Sequence, residues 1–196
     1  MVARFLVILL FLITPAFAQD AQTEDTFVGD ARGLVWGLSQ DDIKRYEQSE
    51  FLGPFENALS YKGQDFGKDA FITYYFFDNK LGRIIVEYDY LRANPQDYLN
   101  DYIEFQSQLT ELYGDPSSDD IVWRNDIYRN DPERWGIGVM MGGVQFSSLW
   151  STPTSIIRMT LRGDKMKAEL ETTYVSKTVL QRENAVSLTP QNAASE

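Results

Sequence analysis

The chain is predicted to be an α+β protein: one antiparallel sheet with helices packed on one face, arranged as two tandem αβββ units. Three observations predict this. Several segments alternate apolar and polar residues with the period of a strand, while one long segment has the period of a helix. Turn residues separate neighbouring strands. The order helix, Gly-(x)-Pro, short strand, hairpin occurs twice, once around Gly53-Pro54 and once around Gly114-Asp-Pro116.

In the first unit, Gly33-Leu-Val-Trp36 is a short extended piece. Ser39 then caps a helix with Asp42 at N3, and Leu38 and Ile43 sit at staple positions. Asp41 and Asp42 suit the positive end of the helix dipole, so they are read as capping acids and not as catalytic ones. The helix is expected to end near Phe51, before Gly53-Pro54. Ala58 to Tyr61 is a short strand. Phe71 to Phe77 and Gly82 to Tyr90 then flank Asp78-Asn79-Lys80-Leu81 as a hairpin.

The second unit opens at Asn94-Pro95, a cap followed by proline at the first helical position. Tyr98, Tyr102, Phe105, Leu109 and Leu112 follow at spacings of 4, 3, 4 and 3. Gly114 closes that helix and Pro116 prevents its continuation. Ile121 to Arg124, Val144 to Trp150, Ser155 to Arg162 and Ala168 to Ser176 read as strands. The units span about 33–90 and 94–178 within a single domain at 31–180. The segment Asn125 to Gly143 is an insertion. Asp131-Pro132-Glu133 looks like a helix start within it, and Trp135, Ile137, Val139, Met140 and Met141 are too apolar for a free loop.

The faces of the strands decide what is exposed. In the last hairpin Ile157, Met159 and Leu161 oppose Arg158, Thr160 and Arg162, and Arg162 falls near Glu169 and Glu171. One side is apolar and the other charged, as in a sheet covered on one face. In the first hairpin a two-residue turn at Asn79-Lys80 pairs Phe71 with Tyr88, Thr73 with Val86 and Tyr75 with Ile84, and turns them toward the helices. The other side then carries Ile72, Tyr74, Phe76, Arg83, Ile85, Glu87 and Asp89. A three-residue turn would shift this register. So apolar a side is covered by the insertion, belongs to a second core layer, or binds something. The candidate partner or ligand surface is therefore Ile72, Tyr74, Phe76, Ile85, Trp135, Met140 and Met141. The insertion serves it either as a lid or as a binding flap.

The termini give an address. Arg4 precedes the apolar run Phe5 to Ile13, Pro15 breaks it, and Ala16-Phe17-Ala18 offers a cleavage site. Residues 1–18 are read as a secretory signal peptide cut after Ala18, 19–30 as a flexible lead and 181–196 as a disordered tail. Nine apolar residues fall well short of the roughly 20 that span a bilayer. Loss of Arg4 takes the basic count from 18 to 17 against 29 acids, a net charge of −12. A soluble periplasmic or secreted protein is expected, with no membrane span after cleavage. The absence of cysteine favours a bacterial periplasm over a disulfide-rich secreted setting.

Composition excludes several chemistries. Zero Cys and zero His leave no thiol nucleophile, imidazole base or soft metal site. The acidity opposes nucleic-acid binding, which needs a basic footprint. No nucleophile elbow, phosphate loop or calcium loop occurs. No cofactor, metal or catalytic residue is assigned, and the chain is read as a non-enzyme. A carboxylate-only hydrolase would need two facing acids in one cleft.

Gly33-Leu-Val-Trp-Gly37-Leu-Ser39, the following Gly-Pro and strand, and Tyr113-Gly-Asp-Pro116 after the long helix resemble small exported bacterial proteins of the β-lactamase-inhibitory-protein-like and outer-membrane-assembly-lipoprotein-like fold. The resemblance covers roughly Gly33 to Ser176. It implies an α+β module of the cell envelope. A lipoprotein role does not carry over, because no lipobox cysteine is present, and no functional residues carry over. The expected function is a non-enzymatic protein-binding module whose partner is an envelope protein. A small apolar-ligand carrier, with its cleft under residues 131–143, is the alternative. The sequence leaves the oligomeric state open.

Overall fold

The structure, a computed structural model, describes residues 29–187. The signal and its cleavage point, the lead up to residue 28 and the tail from residue 188 lie outside these. The elements in chain order are α1 (Gln40–Tyr46), β1 (Glu50–Phe55), β2 (Ala58–Asp65), β3 (Lys68–Phe77), β4 (Lys80–Tyr88), α2 (Gln96–Tyr113) and β5 (Ser118–Trp123). A 3-10 turn at Pro132–Arg134 leads into α3 (Trp135–Met140), followed by β6 (Val144–Ser151), β7 (Ser155–Asp164), β8 (Lys167–Ser176) and α4 (Lys177–Ser187).

All eight strands form one antiparallel sheet in the order β1-β2-β3-β4-β8-β7-β6-β5. Exchanging the two units reverses this order onto itself. Their last strands, β4 and β8, meet at the centre with Ile85 opposite Thr173. Each unit is a helix followed by four strands, so the expected αβββ unit is one strand short. The strand unread in the first unit is β1, which contains Gly53-Pro54. An edge strand tolerates proline, and the register slips between Phe51 and Gly53 as a bulge. The expected first helix is correspondingly shorter and ends at Tyr46.

Local chemistry explains the helices. Ser39 and Asp42 form a reciprocal capping box on α1. Asn94 Oδ1 accepts from Gln96 N–H at 3.2 Å, and Gly114, at φ 81°, ends α2. Tyr98, Tyr102, Phe105 and Leu109 of α2 are buried as their spacing predicts, whereas Leu112 is exposed. Each fully buried side chain of this size contributes ~1.5–3 kcal/mol. Against them lie Ile72, Tyr74, Phe76, Ile84 and Val86 from the first unit, and Trp150, Ile157, Met159, Leu161 and Tyr174 from the second.

The first hairpin corrects the predicted faces. Its turn is Asp78-Asn79, both at positive φ (52° and 56°), one residue earlier than expected. Phe77 therefore pairs with Lys80 and Phe76 with Leu81. A bulge at Gly82 then slips the register by one residue, so that Ile72 pairs with Val86 and Tyr74 with Ile84. This one-residue shift joins the most apolar sets on both strands into a single core face. Ile72, Tyr74 and Phe76, expected on a partner surface, are 0%, 0% and 1% exposed.

The last element also departs from expectation. Residues 177–187 form α4, although the disordered tail was expected to begin at residue 181. This helix crosses to the other side of the sheet. Val179 is buried there, and Arg83, on the side away from α2, pairs with Glu183 at 3.0 Å. A Cβ on Gly82 would collide with Val179, so the glycine is what lets the helix seat.

Candidate functional site

Away from α2 and α3 the sheet has an open face. Along its middle run Ser60, Thr73, Ile85, Thr173, Arg158 and Leu149, each on the next strand across. The neighbouring row toward α4 carries Ala58, Tyr75, Val175 and Ile156. Phe71, Thr73, Tyr75, Ile85, Leu149 and Ile156 are all half-buried, and Arg158 is exposed. Arg158 has no ion pair among the described residues. Ser60 and Thr73 hydroxyls bond each other at 3.1 Å.

The charged row lies at the opposite end of the face from α4. Glu87 stands opposite Glu171 across the central seam. Arg162 offsets this repulsion, approaching Glu169 at 3.3 Å and Glu171 at 3.8 Å as the alternation predicted. Thr173 donates to Glu171 at 2.8 Å. Glu87, Arg162, Glu169 and Glu171 line a cavity of about 540 Å³ together with Phe71, Tyr90 and Leu91. It shares Arg162, Lys167 and Glu169 with a second cavity of about 530 Å³, lined also by Arg124, Gly142 and Lys165. Both volumes fall within the ordinary range of ligand sites.

The residues expected to form the partner surface are thus divided. Ile72, Tyr74 and Phe76 are core. Ile85 lies on the open face. Trp135 packs on Trp123 (5.6 Å between ring centroids) and Phe146 (5.9 Å), within the helix side of the sheet. Met140 is half-buried against the core, and Met141 is 49% exposed. The insertion covers the helix side and not the open face. Val139 is fully buried beneath it, and Gly136 lies so close to Pro95 that no side chain fits. The cavity touching this segment does so at Gly142, past the end of α3 but within residues 131–143. Phe71, Tyr75, Leu149, Ile156 and Arg158 were not singled out from sequence. Gly82 just past the turn was the usable signal, since a bulge there, and not the turn alone, decides which faces of the two strands pair.

Two buried polar clusters were also unforeseen. Arg32 sits at φ 48° in a tight turn closed by Ala31 and Leu34. Its Nε donates to Asp65 Oδ1 at 2.9 Å and its Nη1 to Tyr74 Oη at 2.9 Å. Tyr74 donates on to Glu47 Oε2 at 2.6 Å, and Tyr88 donates to Asp65 Oδ2 at 2.7 Å. Burial chiefly pushes the phenols of Tyr74, Tyr88 and Tyr174 far above their ordinary range. Burial opposes the charges of Arg32 and Glu47, but their partners more than offset it. Tyr74 and Asp65 raise the Arg32 pKa, and bonds from Tyr74 and Ser49 lower that of Glu47. Arg32, Asp65, Tyr74, Tyr88 and Glu47 bond one another in this chain of contacts, which suits a clamp holding the N-terminal turn to the sheet.

The second cluster centres on Ser148, which is fully buried. Its hydroxyl donates to Asp119 at 2.8 Å, lies 2.5 Å from Tyr102 Oη and accepts from Gln106 Nε2 at 2.7 Å. It ties edge strand β5 to α2. No group of three or more metal-ligating side chains occurs among the described residues. Nor is any helix among them long and apolar enough to cross a membrane. No family model, curated protein or solved structure matches the chain.

Proposed function

We propose that the chain is an exported, non-enzymatic binding module of the cell envelope that holds another protein against the open face of its sheet. The supporting observation is that face itself. It is a continuous surface of half-buried Phe71, Thr73, Tyr75, Ile85, Leu149 and Ile156, backed by a rigid two-unit core. Mixed aromatic, aliphatic and hydroxyl groups of this kind give contact area with adaptable hydrogen bonding. The partner is a folded protein whose surface is mainly aliphatic and aromatic, with a carboxylate opposite Arg158. The signal read at residues 1–18 supplies the compartment. A photoreactive amino acid placed at Tyr75 or Ile85, in cells making the full chain, should cross-link one discrete partner. The same group on the exposed α2 residue Ser107 should not. Absence of a cross-link from both sheet positions would remove this reading. Native mass spectrometry that finds a bound small molecule instead would favour the carrier.

A further inference from the structure

The cavity at the far end of the open face is basic in an otherwise acidic protein. The chain has 18 basic residues against 29 acidic ones, yet Arg124, Arg162, Lys165 and Lys167 all line this one space. Only Asp164 and Glu169 oppose them there. Arg162 is engaged by Glu169 and Glu171, and Lys167 by Glu169 at 3.5 Å. Lys165 reaches only its neighbour Asp164, at 3.9 Å with both side chains in solvent. Arg124 has no ion pair among the described residues. Arg124 therefore brings a charge with no ion partner among the described residues, and Lys165 one with only a solvent-exposed partner.

The walls of the cavity are fixed before anything binds. Met166 N–H donates to Met140 O at 3.0 Å, tying the β7–β8 turn to the end of α3. Gly163 has no room for a side chain against the Val139 carbonyl, so backbone packs on backbone at the floor. Two exposed methionines, Met141 (49%) and Met166 (58%), flank this junction as polarizable, adaptable contacts. The cavity runs on through Arg162 and Lys167 into the second one, beside Phe71 and Leu91. The far end pairs Phe71, Tyr90 and Leu91 with Glu87, Asp89 and Glu171, so the cationic part of this elongated space is the Arg124–Lys165 end, which suits an acidic stretch of an extended chain.

We propose that this groove takes an acidic segment of a partner protein, its carboxylates seated between Arg124 and Lys165. The proposal rests on the open face being a protein-binding surface and names the chemistry recognised at its basic end. Its test is a titration of the isotope-labelled full chain with a peptide of ten glutamates, followed by amide NMR shifts. Saturable shifts centred on Gly142, Gly163 and Lys165 are expected. Arg124→Glu with Lys165→Glu should weaken binding about tenfold or more, ~1.4 kcal/mol, without changing the melting temperature. Unsaturable shifts, or unchanged affinity in the double variant, would overturn the assignment. So would equal binding of a ten-lysine peptide. Binding to vesicles of equal parts phosphatidylcholine and phosphatidylserine, with none to the glutamate peptide, would reassign the groove to a lipid surface and also overturn it. Glutamate binding without cross-links at Tyr75 and Ile85 would remove the wider protein-binding reading and leave the groove intact.

Discussion

Arg32 Nε and Asp65 Oδ1 meet at 2.9 Å across 33 residues of sequence, with only 17% and 9% of their side chains exposed. This contact fastens the turn before α1 to the far end of β2. Arg32→Met leaves the Asp65 carboxylate buried without its partner, so a loss of roughly 3 kcal/mol is expected in urea unfolding. Adding Asp65→Leu should recover part of that loss, because no lone charge then remains. A double variant as unstable as the sum of its singles would show that the two residues act independently.

Ultraviolet phenolate absorbance should single out five of the 11 tyrosines. Burial first of all holds Tyr74, Tyr88, Tyr90, Tyr102 and Tyr174 well above their ordinary range. These five should stay silent through the normal phenol range near pH 10. They should then ionise together with loss of the circular dichroism signal. A raised folded pKa contributes stability that is complete below the unfolded value and is lost as pH climbs toward the folded one. Glu47 works at the other end. Its lowered pKa contributes stability above the ordinary glutamate value that fades as pH falls.

Gly82→Ala places a methyl against Val179 and 2.8 Å from Phe77 Cδ2. A loss of ~1–3 kcal/mol is expected from overpacking, read by thermal unfolding. Combining it with Val179→Ala should restore part of the loss if the clash is with α4. No recovery would place the strain in the bulge itself.

Ser148→Ala removes one oxygen and leaves Tyr102, Gln106 and Asp119 without their common partner. A cost of ~1–3 kcal/mol is expected. Hydrogen exchange should rise along β5 before it rises elsewhere, because Ser148 is what draws Asp119 toward α2. Uniform exchange across the sheet would show that the cluster does not hold that edge.

The sequence was most legible where one local rule dominated. The Ser39–Asp42 box, the spacing of Tyr98, Tyr102, Phe105 and Leu109, and the alternation of Ile157, Met159 and Leu161 all appear where expected. It misled where a long-range choice overrode a local cue. Gly53-Pro54 looks like a terminator, yet its place at the sheet edge makes it a bulged strand. Phe71 to Phe77 is apolar on both faces, so its pattern alone cannot orient it, and the bulge at Gly82 decides. Ile72, Tyr74 and Phe76 were placed by a register without that bulge and are core. Arg32 and Asp65 offered no pattern, because their partnership exists only once β2 and the N-terminal turn are in place.

The palindromic strand order has a kinetic consequence. Six of the seven strand contacts join consecutive strands, and only β4–β8 joins the units. Loop-closure entropy therefore concentrates in that one late step. Two half-sheets can each form early by zipping hairpins. The chain commits to its native state when Ile85 and Thr173 come into register. Until then each half offers a bare inner strand, and a second molecule's half could occupy it. Dimers that exchange halves are thus the characteristic misassembly expected during refolding at high concentration.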